Sequence, residues 1–153
     1  MRKLKFVLIV TIMALTFLPH GNSVNAATAS SVTATIMDAY YTDADGGGVP
    51  NDVVVIIHFA IQGGGTLNGL TYTVDLALPS GKTYVGYVLI VTNMAQVTAT
   101  NFFYNTATES GWYSTSVHAT LNGDPNISDS DHMIFDPPGG DNSDSSGFGV
   151  RVN

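Results

Sequence analysis

Asp43, Asp45 and Asp52 lie within the ten-residue stretch Asp43-Ala44-Asp45-Gly46-Gly47-Gly48-Val49-Pro50-Asn51-Asp52, together with one carboxamide and three glycines. Asp at alternate positions of a tight loop turns successive carboxylates toward one point, and glycine lets the backbone bend and offer its carbonyls. An all-oxygen donor set of this kind suits a hard cation, above all calcium, which takes roughly six to eight oxygen ligands. The candidate ligands are Asp43, Asp45, Gly47, Val49, Asn51 and Asp52. The competing reading is a solvated turn that uses Asp and Gly only for their backbone habits.

Other chemistry-bearing residues are sparser. Asp136-Pro137-Pro138-Gly139-Gly140-Asp141-Asn142-Ser143-Asp144 is a second acidic loop. Asp136, Asp141 and Asp144 could form a second cation site, complete the first, or simply keep a surface loop soluble. Asp129-Ser130-Asp131 is a weaker metal candidate, and Asn126-Ile127-Ser128 matches the glycosylation sequon. His58, His118 and His132 lack the spacing of a zinc site and read as packing or surface residues. Trp112-Tyr113 with Phe102-Phe103-Tyr104 reads as a packed corner of the core, or else as a sugar-stacking surface. No Gly-x-Ser-x-Gly, His-Glu-x-x-His or phosphate-binding loop occurs, and no nucleophile–base pair stands out, so no enzymatic activity is expected.

The elements that position these residues follow from the rest of the chain. Arg2, Lys3 and Lys5 precede an apolar run from Phe6 to Leu18, and Val24-Asn25-Ala26 supplies a cleavage site. Residues 1–26 therefore read as a signal peptide outside the fold, and residues 27–153 as one secreted domain. The apolar run is short for a membrane span, so no membrane attachment is expected once the signal is removed. Beyond residue 26 the basic side chains are Lys82 and Arg151 against twelve acids, a formal charge of two minus twelve, or −10. Such a surface repels nucleic acid and anionic lipid and attracts divalent cations. The chain has no cysteine, so a secreted loop-rich domain has no disulfides to fasten it.

From Ser31 onward the pattern is short strands and turns. Val32, Ala34 and Ile36 alternate with threonines. The run 53–61 is continuously apolar and reads as the central strand. Leu70, Tyr72, Val74, Leu76 and Leu78 alternate with polar residues. Further strands are expected at 84–92, 97–104, 112–121, 132–135 and 147–152, with no helical period of useful length. The expectation is an all-β fold: a single antiparallel β-sandwich of about eight strands, Ig-like or jelly-roll-like. If consecutive strands alternate in direction, the connections 43–52, 79–82, 105–111 and 136–146 share one end. A loop at 122–131 would fall at the other.

Aligned with the loop of an EF-hand, Asp43 takes the first position, Asp45 the third, Gly48 the sixth, Val49 the seventh and Asn51 the ninth. The fifth, Gly47, has no ligand side chain, and the twelfth is Val54 where a bidentate Glu belongs. Asp52 is the acid available to replace it. With strands as flanks, the stretch resembles the Asp-x-Asp calcium loops of secreted β-domains. In signal, sandwich, lack of cysteine and acidic loops, the chain resembles the calcium-dependent cannula-type subunits of archaeal extracellular tubules. That resemblance implies a secreted, extracellular structural protein whose partners are copies of itself, assembled into a filament, tubule or surface layer and stabilised by calcium. The uncharged segment 27–36 is a candidate donor strand, with the C-terminal strand its competitor. The alternative is a carbohydrate-binding or adhesive sandwich with a glycan as partner.

Overall fold

The structure is a computed structural model and describes residues 31–136 and 146–153, with residues 4–7 as backbone. The alternating segments form strands β2 (Ser31–Thr42), β3 (Asp52–Gln62), β4 (Leu70–Ala77), β5 (Thr83–Ile90), β6 (Gln96–Tyr104), β7 (Tyr113–Leu121), β8 (Asp124–Phe135) and β9 (Gly147–Val152). They make two four-stranded antiparallel sheets, ordered β2-β3-β6-β9 and β5-β4-β7-β8. A short strand β1 (Leu4–Val7) runs parallel to β5 along its outer edge. This strand lies within residues 1–26, the segment expected to be removed as a signal peptide. No helix is present among the described residues.

Strand alternation explains the packing. In β4 the residues Leu70, Tyr72, Val74 and Leu76 are buried, and their neighbours are half-exposed on the other face. Val53, Val55, Ile57 and Phe59 of β3 and Val97, Ala99 and Phe103 of β6 meet them from the facing sheet. The continuous apolar run of β3 follows from its inner position: Val54 points away from the core yet is buried, opposite Tyr40 and Phe102 on the flanking strands. One polar link crosses the core. Tyr72 donates to Asn101 Oδ1 at 2.8 Å, and Asn101 Nδ2 donates to the Val55 carbonyl at 3.2 Å. Burial pushes the Tyr72 phenol well above its ordinary pKa, so it stays a donor.

The strand order is that of an immunoglobulin-type sandwich. The first, second and fifth sandwich strands share one sheet, and the fourth, third, sixth and seventh share the other, with β9 added beside β6. Tyr113, at the start of β7, donates its hydroxyl to the Glu109 carbonyl and accepts from the Glu109 N–H, both at 2.9 Å. This is the tyrosine corner that closes the same connection in such sandwiches.

Two positions are sterically demanding. Gly86 of β5 faces the ring of Phe148, so a Cβ there would clash with the tip of that ring, at its Cζ, Cε1 and Cε2 carbons. Phe148 in turn packs on Phe103 at 5.1 Å between centroids. Gly86→Ala is expected to cost about 1–3 kcal/mol by forcing Phe148 outward, read as a lower denaturation midpoint. At Asn122-Gly123 both residues have positive φ, 53° and 71°. That is the conformation of a tight two-residue hairpin turn. The expected 122–131 loop is therefore corrected: only this turn connects β7 to β8, and β8 already begins at Asp124.

Candidate cation site

With antiparallel pairing throughout the two sheets, the connections 43–51, 78–82 and 105–112 gather at one end of the sandwich, as does Asp136 at the close of β8. Hydrogen bonds join these connections. Thr106 and Ala107 donate their N–H groups to the Asn51 carbonyl at 2.8 and 2.7 Å. Glu109 accepts from the Ser80 N–H and hydroxyl at 2.8 and 2.7 Å.

Asp52 is the anchor of this end. It opens β3, is 0% exposed, and accepts three backbone N–H bonds. Oδ2 takes Ala44 at 2.7 Å and Asp45 at 3.0 Å, and Oδ1 takes Asn105 at 2.7 Å. One buried carboxylate thus ties the acidic loop to the 105–112 connection. Outside it, Asp43 Oδ2 accepts from the Gly48 N–H at 2.9 Å and Asp45 Oδ1 from the Gly47 N–H at 2.8 Å. Gly46 and Gly48 adopt φ of 78° and 85°, which folds the loop back on itself.

The result is a group of three carboxylates, Asp43, Asp45 and Asp52, each with an oxygen within 4.8 Å of the others'. Two ligand oxygens of one calcium ion lie at most twice the metal–oxygen distance apart, about 5 Å. The group could therefore hold a metal ion, with Asp43 and Asp45 open to solvent and Asp52 forming the floor. Among the other expected ligands, Gly47 spends its N–H on Asp45. The Val49 carbonyl accepts from the Asn51 N–H at 2.8 Å. Asn51 is buried, and its carbonyl accepts from the neighbouring connection. Asp136 is exposed at the end of β8, and Asp141 and Asp144 lie outside the described residues.

Asp129 and Asp131 have a different task. They sit mid-strand in β8 at inward-facing positions, where Ala119 and Val117 pair with them. Their carboxylates reach the edge of the facing sheet, where the Ala34 N–H donates to Asp129 Oδ2 at 2.9 Å and the Ile36 N–H to Asp131 Oδ2 at 2.7 Å. The spacing of the two acids matches the spacing of outward N–H groups along β2. They act as a latch that closes this side of the sandwich and satisfies an edge otherwise open to a foreign strand. The double change Asp129→Ala with Asp131→Ala is expected to cost about 1–3 kcal/mol. Equilibrium denaturation would register the loss, and light scattering any added self-association through the unlatched edge.

The aromatic set separates. Tyr113 and Phe103 are buried in the core, Phe102 and Tyr104 stack on the outer face of their sheet at 5.9 Å, and Trp112 is 67% exposed. His118 Nδ1 lies 2.7 Å from Ser130 Oγ on the outer face of the other sheet, in a shallow polar depression that His132 also lines. His58 contacts Thr98 at 3.3 Å.

Fold and site together define an immunoglobulin-type β-sandwich with an acidic loop at one end that could hold a metal ion. Compared with protein-family models, curated proteins and solved structures, the chain finds no match.

Proposed function

We propose that the protein is a secreted structural subunit, with calcium bound among Asp43, Asp45 and Asp52, that assembles with copies of itself outside the cell. The observation that carries the reading is the convergence of three carboxylates on a loop whose floor, Asp52, is built into the sandwich. A cation there fastens the 43–51 connection to 105–112 in a chain that has no disulfide to do so. Calcium also reduces the repulsion between copies of a strongly acidic domain. Donor-strand exchange by residues 27–36 would require Val32, Ala34 and Ile36 to leave their own core and the latch to open, so edge-to-edge contact is the simpler route. Electron microscopy of the secreted protein in calcium and in chelator tests the reading. Ordered polymers that disperse in chelator are expected, and monodisperse particles in both conditions would contradict it.

A glycan-binding role is the second reading, favoured by the exposure of Trp112 at the same end of the molecule. Glycan-array binding lost in Trp112→Ala, without polymers, would establish it instead.

A further inference from the structure

The two lateral sides of the sandwich differ. On one, β8 is latched to β2 by Asp129 and Asp131. On the other, β5 is the last strand of the sandwich sheet, and among the described residues its outer edge is paired only by β1, in the register Leu4↔Tyr84 to Val7↔Tyr87. The edge can therefore take a strand without rearrangement. Thr83-Tyr84-Val85-Gly86-Tyr87-Val88-Leu89-Ile90 carries no charge and no proline. It also shows no irregularity in its register with β4. Those are the devices by which an edge strand normally refuses partners, and an apolar eight-residue edge without them invites pairing.

We propose that the β5 edge is where a second copy of this chain docks, β5 against β5 in antiparallel register about a two-fold axis. On this proposal β1 covers that edge until residues 1–26, the expected secretion signal, are removed. The inference rests on the self-assembly reading above and names its first contact. Charge selects the antiparallel arrangement. The acidic connections 43–51 and 105–112 lie at the end where β5 begins. Antiparallel docking places these ends at opposite extremities of the pair, separated by the strand's length of roughly 25 Å. At that range exposed charges are largely screened. Parallel docking would bring them side by side. Lys82, which precedes β5, is likewise kept from its copy. The joined sheet has eight strands and hides both exposed β5 edges.

The test uses the chain beginning at Ala27, which retains both four-stranded sheets, all of them within residues 31–152. The protein has no cysteine of its own, so single variants Thr83→Cys, Val85→Cys, Tyr87→Cys and Leu89→Cys report pairing directly. A disulfide requires Cα atoms about 4.4–6.8 Å apart, so only the position at or beside the two-fold axis should crosslink under mild oxidation. Thr73→Cys on the inner strand β4 should stay unlinked. Tyr87→Lys should keep its melting behaviour but self-associate about tenfold more weakly, and a synthetic peptide of residues 1–8 should lower the dimer fraction. A monomer in sedimentation, or a dimer that crosslinks at none of the four β5 positions, overturns the proposal. Polymers without the β5 crosslink would sink this contact and leave the assembly reading standing. A β5-linked dimer that never polymerises would do the reverse.

Discussion

Asp52→Ala is expected to lower the free energy of unfolding by about 3–4 kcal/mol, because three backbone N–H groups lose their shared carboxylate where water enters poorly. The donors belong to two connections, Ala44 and Asp45 on one and Asn105 on the other, so the substitution unties both together. For a domain of this size the melting temperature should fall by about 10 °C. Asp52→Asn keeps the shape but replaces one accepting oxygen with an amide donor. Its cost should fall between wild type and alanine, with the order set by whether the retained oxygen faces Asn105 or the Ala44–Asp45 pair. Thermal and denaturant unfolding of the three proteins check the ranking. Equal stability of Asp52→Ala and wild type would show that the connections are held by something other than this carboxylate.

The second large effect is calcium itself. Extracellular calcium modules bind with dissociation constants of about 10⁻⁴–10⁻³ M, and free calcium at about 100 times that constant adds about 2.7 kcal/mol to the native state. Melting should therefore shift upward with calcium and return on chelation. Asp45→Ala separates the cation from the scaffold. Asp45 is exposed and its carboxylate accepts from the Gly47 N–H within the loop, while its own N–H bond to Asp52 is backbone and survives truncation. Its loss should therefore cost less than about 1 kcal/mol without calcium while removing most of the calcium-induced shift. Asp52→Ala lowers stability with or without calcium. A wild-type melt unchanged across a millimolar calcium series would remove the cation from the account.

Much of the fold was legible in the alternation of side chains. Val32, Ala34 and Ile36 in β2 and Leu70 to Leu78 around β4 are buried as their spacing requires, because one face of a sandwich strand has nowhere else to go. The gathering of the 43–51, 78–82 and 105–112 connections at one end follows from strand parity alone. The misreading at 122–131 has a specific cause. The inward row of β8 is Ile127, Asp129, Asp131, Met133 and Phe135, and the two acids in its middle break the apolar alternation that marks a strand. They face the backbone of β2, not hydrocarbon, and only three-dimensional contact reveals that. Asn122-Gly123 was the local signal that could have placed the hairpin.

The candidate site was half legible. Asp-x-Asp with three glycines identifies a loop able to converge carboxylates, and Asp43 and Asp45 are where that pattern puts them. The role of Asp52 could not be read from spacing, because its burial comes from opening the inner strand β3, and its third partner, Asn105, is 53 residues away. Val49 and Asn51 entered the expected ligand set by alignment with a helix-flanked loop. Here the flanks are strands, and the two backbone carbonyls accept hydrogen bonds, that of Val49 from Asn51 and that of Asn51 from Thr106 and Ala107.

Isothermal titration of calcium into chelator-stripped protein tests the central claim most directly. The account predicts heat for one site per chain with a dissociation constant of about 10⁻⁴–10⁻³ M, abolished in Asp45→Ala while that variant remains folded. No calcium-dependent heat from the folded wild-type protein, or an unchanged isotherm in Asp45→Ala, would contradict it.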